Sequence, residues 1–207
     1  MKEENRVRQT ADVHQELQLV AEMIQRTKQT VVDRGPFFLL WGGLVFLACS
    51  VTFALSQLDH ESLIWLPWAI LMPIGAIVSV FLMRKYLKQS EYTSYAEHSY
   101  DSVWLACGLA FFIMMFVNYI TSFFPPKAVY PIISFIVGIG VFASGRIMEW
   151  TSLRIGGLFW WGGAVTMMLV PFQYHPLIVS VVIIPGHMIP GYLLKRQFRR
   201  QNKNAEG

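Results

Sequence analysis

Six apolar stretches, each about as long as a bilayer is thick, decide what this chain can fold into. They run at 36–56, 63–83, 103–124, 128–146, 155–171 and 176–194. Each is close to the ~20 residues that cross ~30 Å of hydrocarbon at 1.5 Å per residue. Backbone groups left unpaired in lipid cost several kcal/mol each, so such segments fold as helices. The composition agrees: 54% of residues are hydrophobic and 14% charged, where soluble domains carry about 25% charged residues. The expected fold is all-α, an integral membrane six-helix bundle made of three helical hairpins and preceded by an N-terminal amphipathic cytoplasmic helix.

The basic residues orient the bundle. Lys2, Arg6, Arg8, Arg26, Lys28 and Arg34 precede the first span, Arg84, Lys85 and Lys88 join the second to the third, Arg146 and Arg154 join the fourth to the fifth, and Lys195, Arg196, Arg199, Arg200 and Lys203 follow the sixth. Only Lys127 falls on the other side. Cytoplasmic loops retain Lys and Arg, so both termini are expected in the cytoplasm. Trp65, Trp68, Tyr130 and Tyr174 fall at the expected outer boundaries and Trp104 and Trp150 at inner ones, as an aromatic belt would. The first apolar run follows about 35 polar residues and is long enough to span, so no cleavable signal peptide is expected. Cys49 and Cys107 sit at different depths, about 20 Å and 6 Å from the inner ends of their helices, and are read as small packing residues rather than a disulfide.

The outer connections, near 57–62, 125–127 and 172–175, are too short to form a domain. Mass outside the membrane lies on the cytoplasmic side, in residues 1–35, a loop at 84–102 and a basic tail at 195–207, flanking the membrane domain 36–194. In the first of these, Val13, Leu17, Val20, Ile24, Thr27 and Val31 are spaced 4, 3, 4, 3, 4, the seam of a coiled coil. Gly35-Pro36 closes it, since Gly ends helices and Pro is tolerated in the first turn of the next. Two readings fit the seam: a helix that dimerises or docks a cytosolic or membrane partner, and an amphipathic helix lying on the bilayer. The basic tail would attract anionic lipid; topology already accounts for its charge, and no nucleic-acid partner is implied. The tyrosines of the 84–102 loop, Tyr86, Tyr92, Tyr95 and Tyr100, fit a solvated juxtamembrane helix.

Within the spans, Arg34 precedes Trp41-Gly42-Gly43 by seven residues and Arg154 precedes Trp161-Gly162-Gly163 by the same interval, a weak parallel repeat. The Gly pairs, together with Ser134, Gly138, Gly140 and Ser144 on the fourth span and Ala106 and Ala110 on the third, form seams of small residues that let helix backbones approach.

The residues most suggestive of chemistry are in the sixth span. Pro185, Gly186, Pro190 and Gly191 surround His187, the ionisable residue nearest the midplane, about 17 Å from the outer helix end. Proline removes a donor and clashes with the preceding turn, so a kinked or unwound helix with freed carbonyls is expected there. Broken helices at the midplane hold substrates and ions in transporters; a neutral imidazole also serves simply to bond a freed carbonyl. Asn118, with Tyr119 and Thr121, makes a polar patch on the third span, read as bonding across helices. Arg146 and Glu149 are expected to pair on one helix face. Asp59, His60, Glu61 and His175 are expected as solvated loop residues without metal-ligand spacing. The chain has no P-loop, dinucleotide fingerprint, HExxH or GxSxG, and no acidic residue inside a span to relay protons with His187. No cofactor and no catalytic residue is assigned, and an enzyme is not expected.

Residues 17–43, LQLVAEMIQRTKQTVVDRGPFFLLWGG, resemble the start of a group of small six-span bacterial membrane proteins in which a polar EMI-containing helix runs into a first span with an L-W-G core. The resemblance implies a bacterial inner-membrane location and no particular activity. The functional expectation is a non-enzymatic membrane component that docks or regulates a partner, or forms a homo-oligomer, through its N-terminal helix. The alternative is a small-solute or ion transporter or channel built on the sixth span around His187.

Overall fold

Prolines and three residues in the left-handed region cut the chain into helices. In the computed structural model, which describes residues 35–87 and 95–196 together with Gln15, Gln18 and Leu19, these are α1 (Gly35–Gln57), α2 (Leu66–Leu87), α3 (Tyr95–Thr121), α4 (Pro126–Ile147), α5 (Thr151–Leu169) and α6 (His175–Ile183). α6 continues through a π turn, Ile184–Met188, and on through 189–196. Short 3-10 turns, Glu61–Leu63 and Phe172–Tyr174, precede α2 and α6. Among the described residues there is no strand. The seam Val13, Leu17, Val20, Ile24 and Val31 lies outside the described residues, as does the tail beyond Arg196.

The helix ends follow from turn chemistry that the apolar runs do not reveal. Asp59, Ser122 and Glu149 have φ of 57°, 50° and 51°, the left-handed conformation that closes a helix and is usually given to Gly. After α4, the Trp150 amide donates to the Gly145 carbonyl and the Glu149 amide to the Arg146 carbonyl, a Schellman closure. It turns the chain back within three residues, Met148 to Trp150. The third expected span, 103–124, therefore ends at Thr121 and begins earlier, at Tyr95, so much of the expected 84–102 loop is helix. Tyr100, expected to be solvated, is buried against Trp104.

Five helices, Gly35–Gln57, Glu61–Arg84, His98–Thr121, Pro126–Ile147 and Phe172–Arg196, are long and apolar enough to cross a membrane. The expected span at 155–171 is also helical, as α5, but is less apolar because it carries Arg154, Trp160, Trp161 and four glycines. Its packing explains this. Leu153, Gly156, Gly157, Trp160, Gly163, Ala164 and Met167 form a buried stripe at helical spacing, so the polar and small residues face α4 and α6 while Ile155, Leu158, Phe159, Val165 and Met168 face outward.

α6 lies between α1 and α5; α4 packs on α5, α2 flanks α1, and α3 flanks α4. The tightest junction is α4 on α5, across the boundary between two of the three hairpins. Gly138 lies under the Trp161 indole. A Cβ on Gly145 would stand 2.5 Å from the Arg154 amide nitrogen, and one on Gly157 would stand 2.6 Å from the Phe142 Cβ. Indole N–H groups then join neighbouring helices: Trp41 donates to Ser79 and Trp68 to Thr52 between α1 and α2, Trp104 to Ser144 between α3 and α4, and Trp161 to the Phe135 carbonyl between α5 and α4. Trp68 and Trp104, expected in the interfacial belt, are thus turned toward helix partners, whereas Trp65 is 62% exposed.

The two Trp-Gly-Gly motifs are not used alike. Trp41 reaches the following helix and Trp161 the preceding one, and the close glycine is Gly42 in the first motif but Gly163 in the second, while Gly43 and Gly162 meet nothing within 4 Å. Substitution should separate these roles. Gly145→Ala and Gly157→Ala should each destabilise the protein by about 1–3 kcal/mol through overpacking, whereas Gly43→Ala and Gly162→Ala should be neutral or stabilising by up to about 1 kcal/mol. Thermal unfolding of the four variants in detergent checks this.

Candidate functional site

Pro185 and Pro190 are five residues apart, the interval of one π turn. The wider i→i+5 register relieves the clash that a proline ring makes with an α-helical preceding turn, and the Ile189 amide donates to the Ile184 carbonyl in that register. The kinked or unwound helix that the Pro-Gly pairs suggested takes the form of a single π turn, a local widening after which the helix continues to 196 rather than breaking. Such turns are rare and recur at functional sites.

His187 stands in this turn with only 6% of its surface exposed. The Trp160 indole Nε1 of α5 donates to its Nδ1 at 3.0 Å. An indole N–H can only donate, so Nδ1 is the acceptor and the neutral ring carries its proton on Nε2. Two glycines make room for the pair. A Cβ on Gly186 would stand 2.5 Å from the Trp160 Nε1, so only glycine lets the indole lie flat across the turn, and a Cβ on Gly42 would approach the Met188 Cγ at 3.0 Å. Phe38, Trp104 and Trp160 surround the imidazole with ring centroids at 5.4, 6.3 and 5.5 Å. Gly191 and Pro190, one turn on, are buried where α1 crosses α6: a Cβ on Gly191 would lie 3.0 Å from the Phe38 Cβ.

A cleft of about 660 Å³ leads to this histidine. It exists because α2 packs on α1 and α3 on α4, and the two are not packed on one another. Phe37, Phe38 and Trp41 of α1 form one wall, Ser79 and Met83 of α2 a second, and Tyr100, Trp104 and Leu105 of α3 a third. His98, Asp101 and Ser102 lie at its exposed rim, and His187 lines its interior. Among the described residues no Lys or Arg lines it. The Nε2 of His187 meets no hydrogen-bond partner among the described residues, and the residue lines the cleft, so a donor is left there for something else to satisfy.

Other residues singled out by sequence serve structure. Asn118 does not line the cleft or bond across helices; its Oδ1 accepts the Phe124 amide at 2.7 Å, while Thr121 bonds the Val117 carbonyl, so both finish α3. Arg146 and Glu149 form no ion pair among the described residues, because the left-handed Glu149 leaves the helix face they were expected to share. His175 is not a solvated loop residue. It begins α6 at 1% exposure, between the rings of Tyr130 and Phe172, with Nε2 on the Val170 carbonyl and Nδ1 without a partner. Among the described residues no three of His, Cys, Asp and Glu come together as metal ligands, and Cys49 and Cys107 are free thiols. The sequence pointed to an acidic residue or a freed carbonyl as the partner of His187 and not to Trp160; the tryptophan on a glycine-rich helix was the available signal.

The donor assignment is testable. With 15N-labelled histidine, wild-type His187 should show the Nε2–H tautomer, and Trp160→Phe, which removes the donor to Nδ1, should give a mixture of tautomers. Gly186→Ala should give the same mixture by displacing the indole.

No protein-family model, curated protein or solved structure matches the chain.

Proposed function

We propose that the protein is a six-helix integral membrane component of a bacterial inner membrane, both ends cytoplasmic, and that its role is non-enzymatic: it receives a small ligand in the cleft at His187 and docks or regulates a partner on the cytoplasmic side. Membrane insertion is supported by the five long apolar helices and by the outward apolar face of α5. The placement of 16 of the 17 basic residues supports the orientation. The observation that carries the ligand reading is the cleft between α1, α2 and α3, which reaches the His187 imidazole, whose Nε2 has no hydrogen-bond partner among the described residues.

Reception accounts for the geometry better than passage. Outward from His187, Ile183, Ser180 and Val179 of α6 are buried, as are Ala48, Cys49 and Thr52 of α1, and the Ser50 and Ser180 hydroxyls bond across the junction. Among the described residues the cleft is therefore closed toward the outer side and open at its rim, toward the side assigned to the cytoplasm, and along the gap between α2 and α3. Residues 1–34, which lead directly into the wall bearing Phe37 and Phe38, are suited to report occupancy to a partner.

Two measurements test the proposal. In a background without Cys49 and Cys107, Asp59→Cys should react with an impermeant maleimide in intact cells and Gln89→Cys only after permeabilisation; the reverse pattern overturns the orientation. Gentle purification from native membranes with mass spectrometry should recover a small molecule that His187→Ala releases, and a protein partner lost on deleting residues 1–33. Recovery of the same molecule from His187→Ala would exclude the cleft as its site.

A further inference from the structure

The chemistry of the cleft narrows its ligand. At its deep end the His187 Nε2–H is a donor without a partner among the described residues, fixed in that role because Trp160 donates to the opposite ring nitrogen. A ligand ammonium would meet it donor to donor, and a hydroxyl could turn its oxygen to it only by turning its own hydrogen toward the aromatic walls. A carboxylate or phosphate would bring a charge into an aromatic cleft lined by no Lys or Arg among the described residues, and an unpaired buried charge is strongly disfavoured. A metal ion would find one imidazole and no co-ligand cluster among the described residues. What remains is a neutral acceptor oxygen on an apolar body.

Resting on the ligand reading above, we infer that the cleft is a site for a membrane-soluble carbonyl compound whose oxygen accepts the hydrogen bond of His187 and whose apolar body lies along the aromatic wall to which Phe38 and Trp104 belong. The gap between α2 and α3 gives entry from the side. Depth bears on the source. His187 is eight residues inside Lys195 and twelve inside His175, about 12 Å and 18 Å along α6. An acceptor at that level is deep in the hydrocarbon, as a quinone ring can be, whereas the ester carbonyls of bilayer lipids stay near its boundary. Both sources present the same carbonyl oxygen.

The experiment uses the full chain in detergent, with Ser102→Cys at the cleft rim in a background lacking Cys49 and Cys107, and reads maleimide reactivity while a probe is titrated. The probes are decylubiquinone for the quinone source, ethyl laurate for the ester source and dodecane as an apolar body without an acceptor. Saturable protection by a carbonyl probe but not by dodecane is expected. His187→Phe, which keeps an aromatic ring without the donor, should raise the required concentration roughly tenfold, the cost of one buried hydrogen bond. His187→Gln, which keeps an N–H, should restore part of the effect. Protection by decylubiquinone alone assigns a quinone, and protection by ethyl laurate alone an ester. Equal protection by dodecane, or protection unchanged in His187→Phe, overturns the carbonyl assignment and leaves the cleft as a ligand site. No protection by any probe overturns both. The wild-type comparison of carbonyl probes with dodecane decides the question even if a His187 variant fails to fold.

Discussion

An indole N–H away from water has only another helix to donate to, and the arrangement of this bundle depends on that constraint. Five of the seven tryptophans donate across a helix boundary, to two serines, a threonine, a main-chain carbonyl and an imidazole. In an apolar medium each such bond contributes on the order of 0.6–2 kcal/mol, and the larger gain is directional, because a displaced donor finds no water in its place. The bonds follow the packing order of the helices: α2 is held to α1, α3 to α4, α4 to α5 and α5 to α6. Every partner is uncharged as a hydroxyl, carbonyl or neutral ring, so the interior is joined without ion pairs among the described residues.

Close approach of backbones is what brings these donors within reach. Glycines at 145 and 157 bring α4 against α5, and Gly156 faces the Gly186 carbonyl, where a Cβ would stand 2.8 Å from the oxygen. Gly186 clears the path of the Trp160 indole to His187. Tight packing and the candidate site are therefore one arrangement: the glycines that seat α5 also place the ring that fixes the histidine's tautomer. The cleft has the opposite origin, a place where two outer helices do not meet.

The helices were legible in the sequence because length and apolarity suffice to define them in lipid, and the expected spans agree with the helices to within a few residues at most ends. Where they differ, the cause is local. α3 stops at Thr121 because Ser122 adopts a left-handed conformation with no glycine to announce it, and α5 is helical although its glycines, tryptophans and Arg154 lower its apolarity. His187 stood out through its Pro-Gly neighbours, although the same prolines gave a π turn rather than a break. Its partner and its cleft were not legible. Trp160 is 27 residues away on another helix, Trp104 was assigned to a membrane boundary by its position in the sequence, and a gap between α2 and α3 depends on which helices fail to pack.

α3 has 27 residues, about 40 Å of rigid helix, and its polar attachments to the core cluster in one place. Trp104 bonds Ser144, Cys107 lies 3.6 Å from the Ile136 carbonyl, and both side chains rest against Gly140. Beyond Gly108 most of its side chains are exposed on the outer half. Mechanically this is a rod on a fulcrum about two-fifths of the way from its inner end. The short arm forms a wall of the cleft and the long arm ends in the capped turn to α4, so a load on that wall falls on the Trp104 and Cys107 contacts and on that turn.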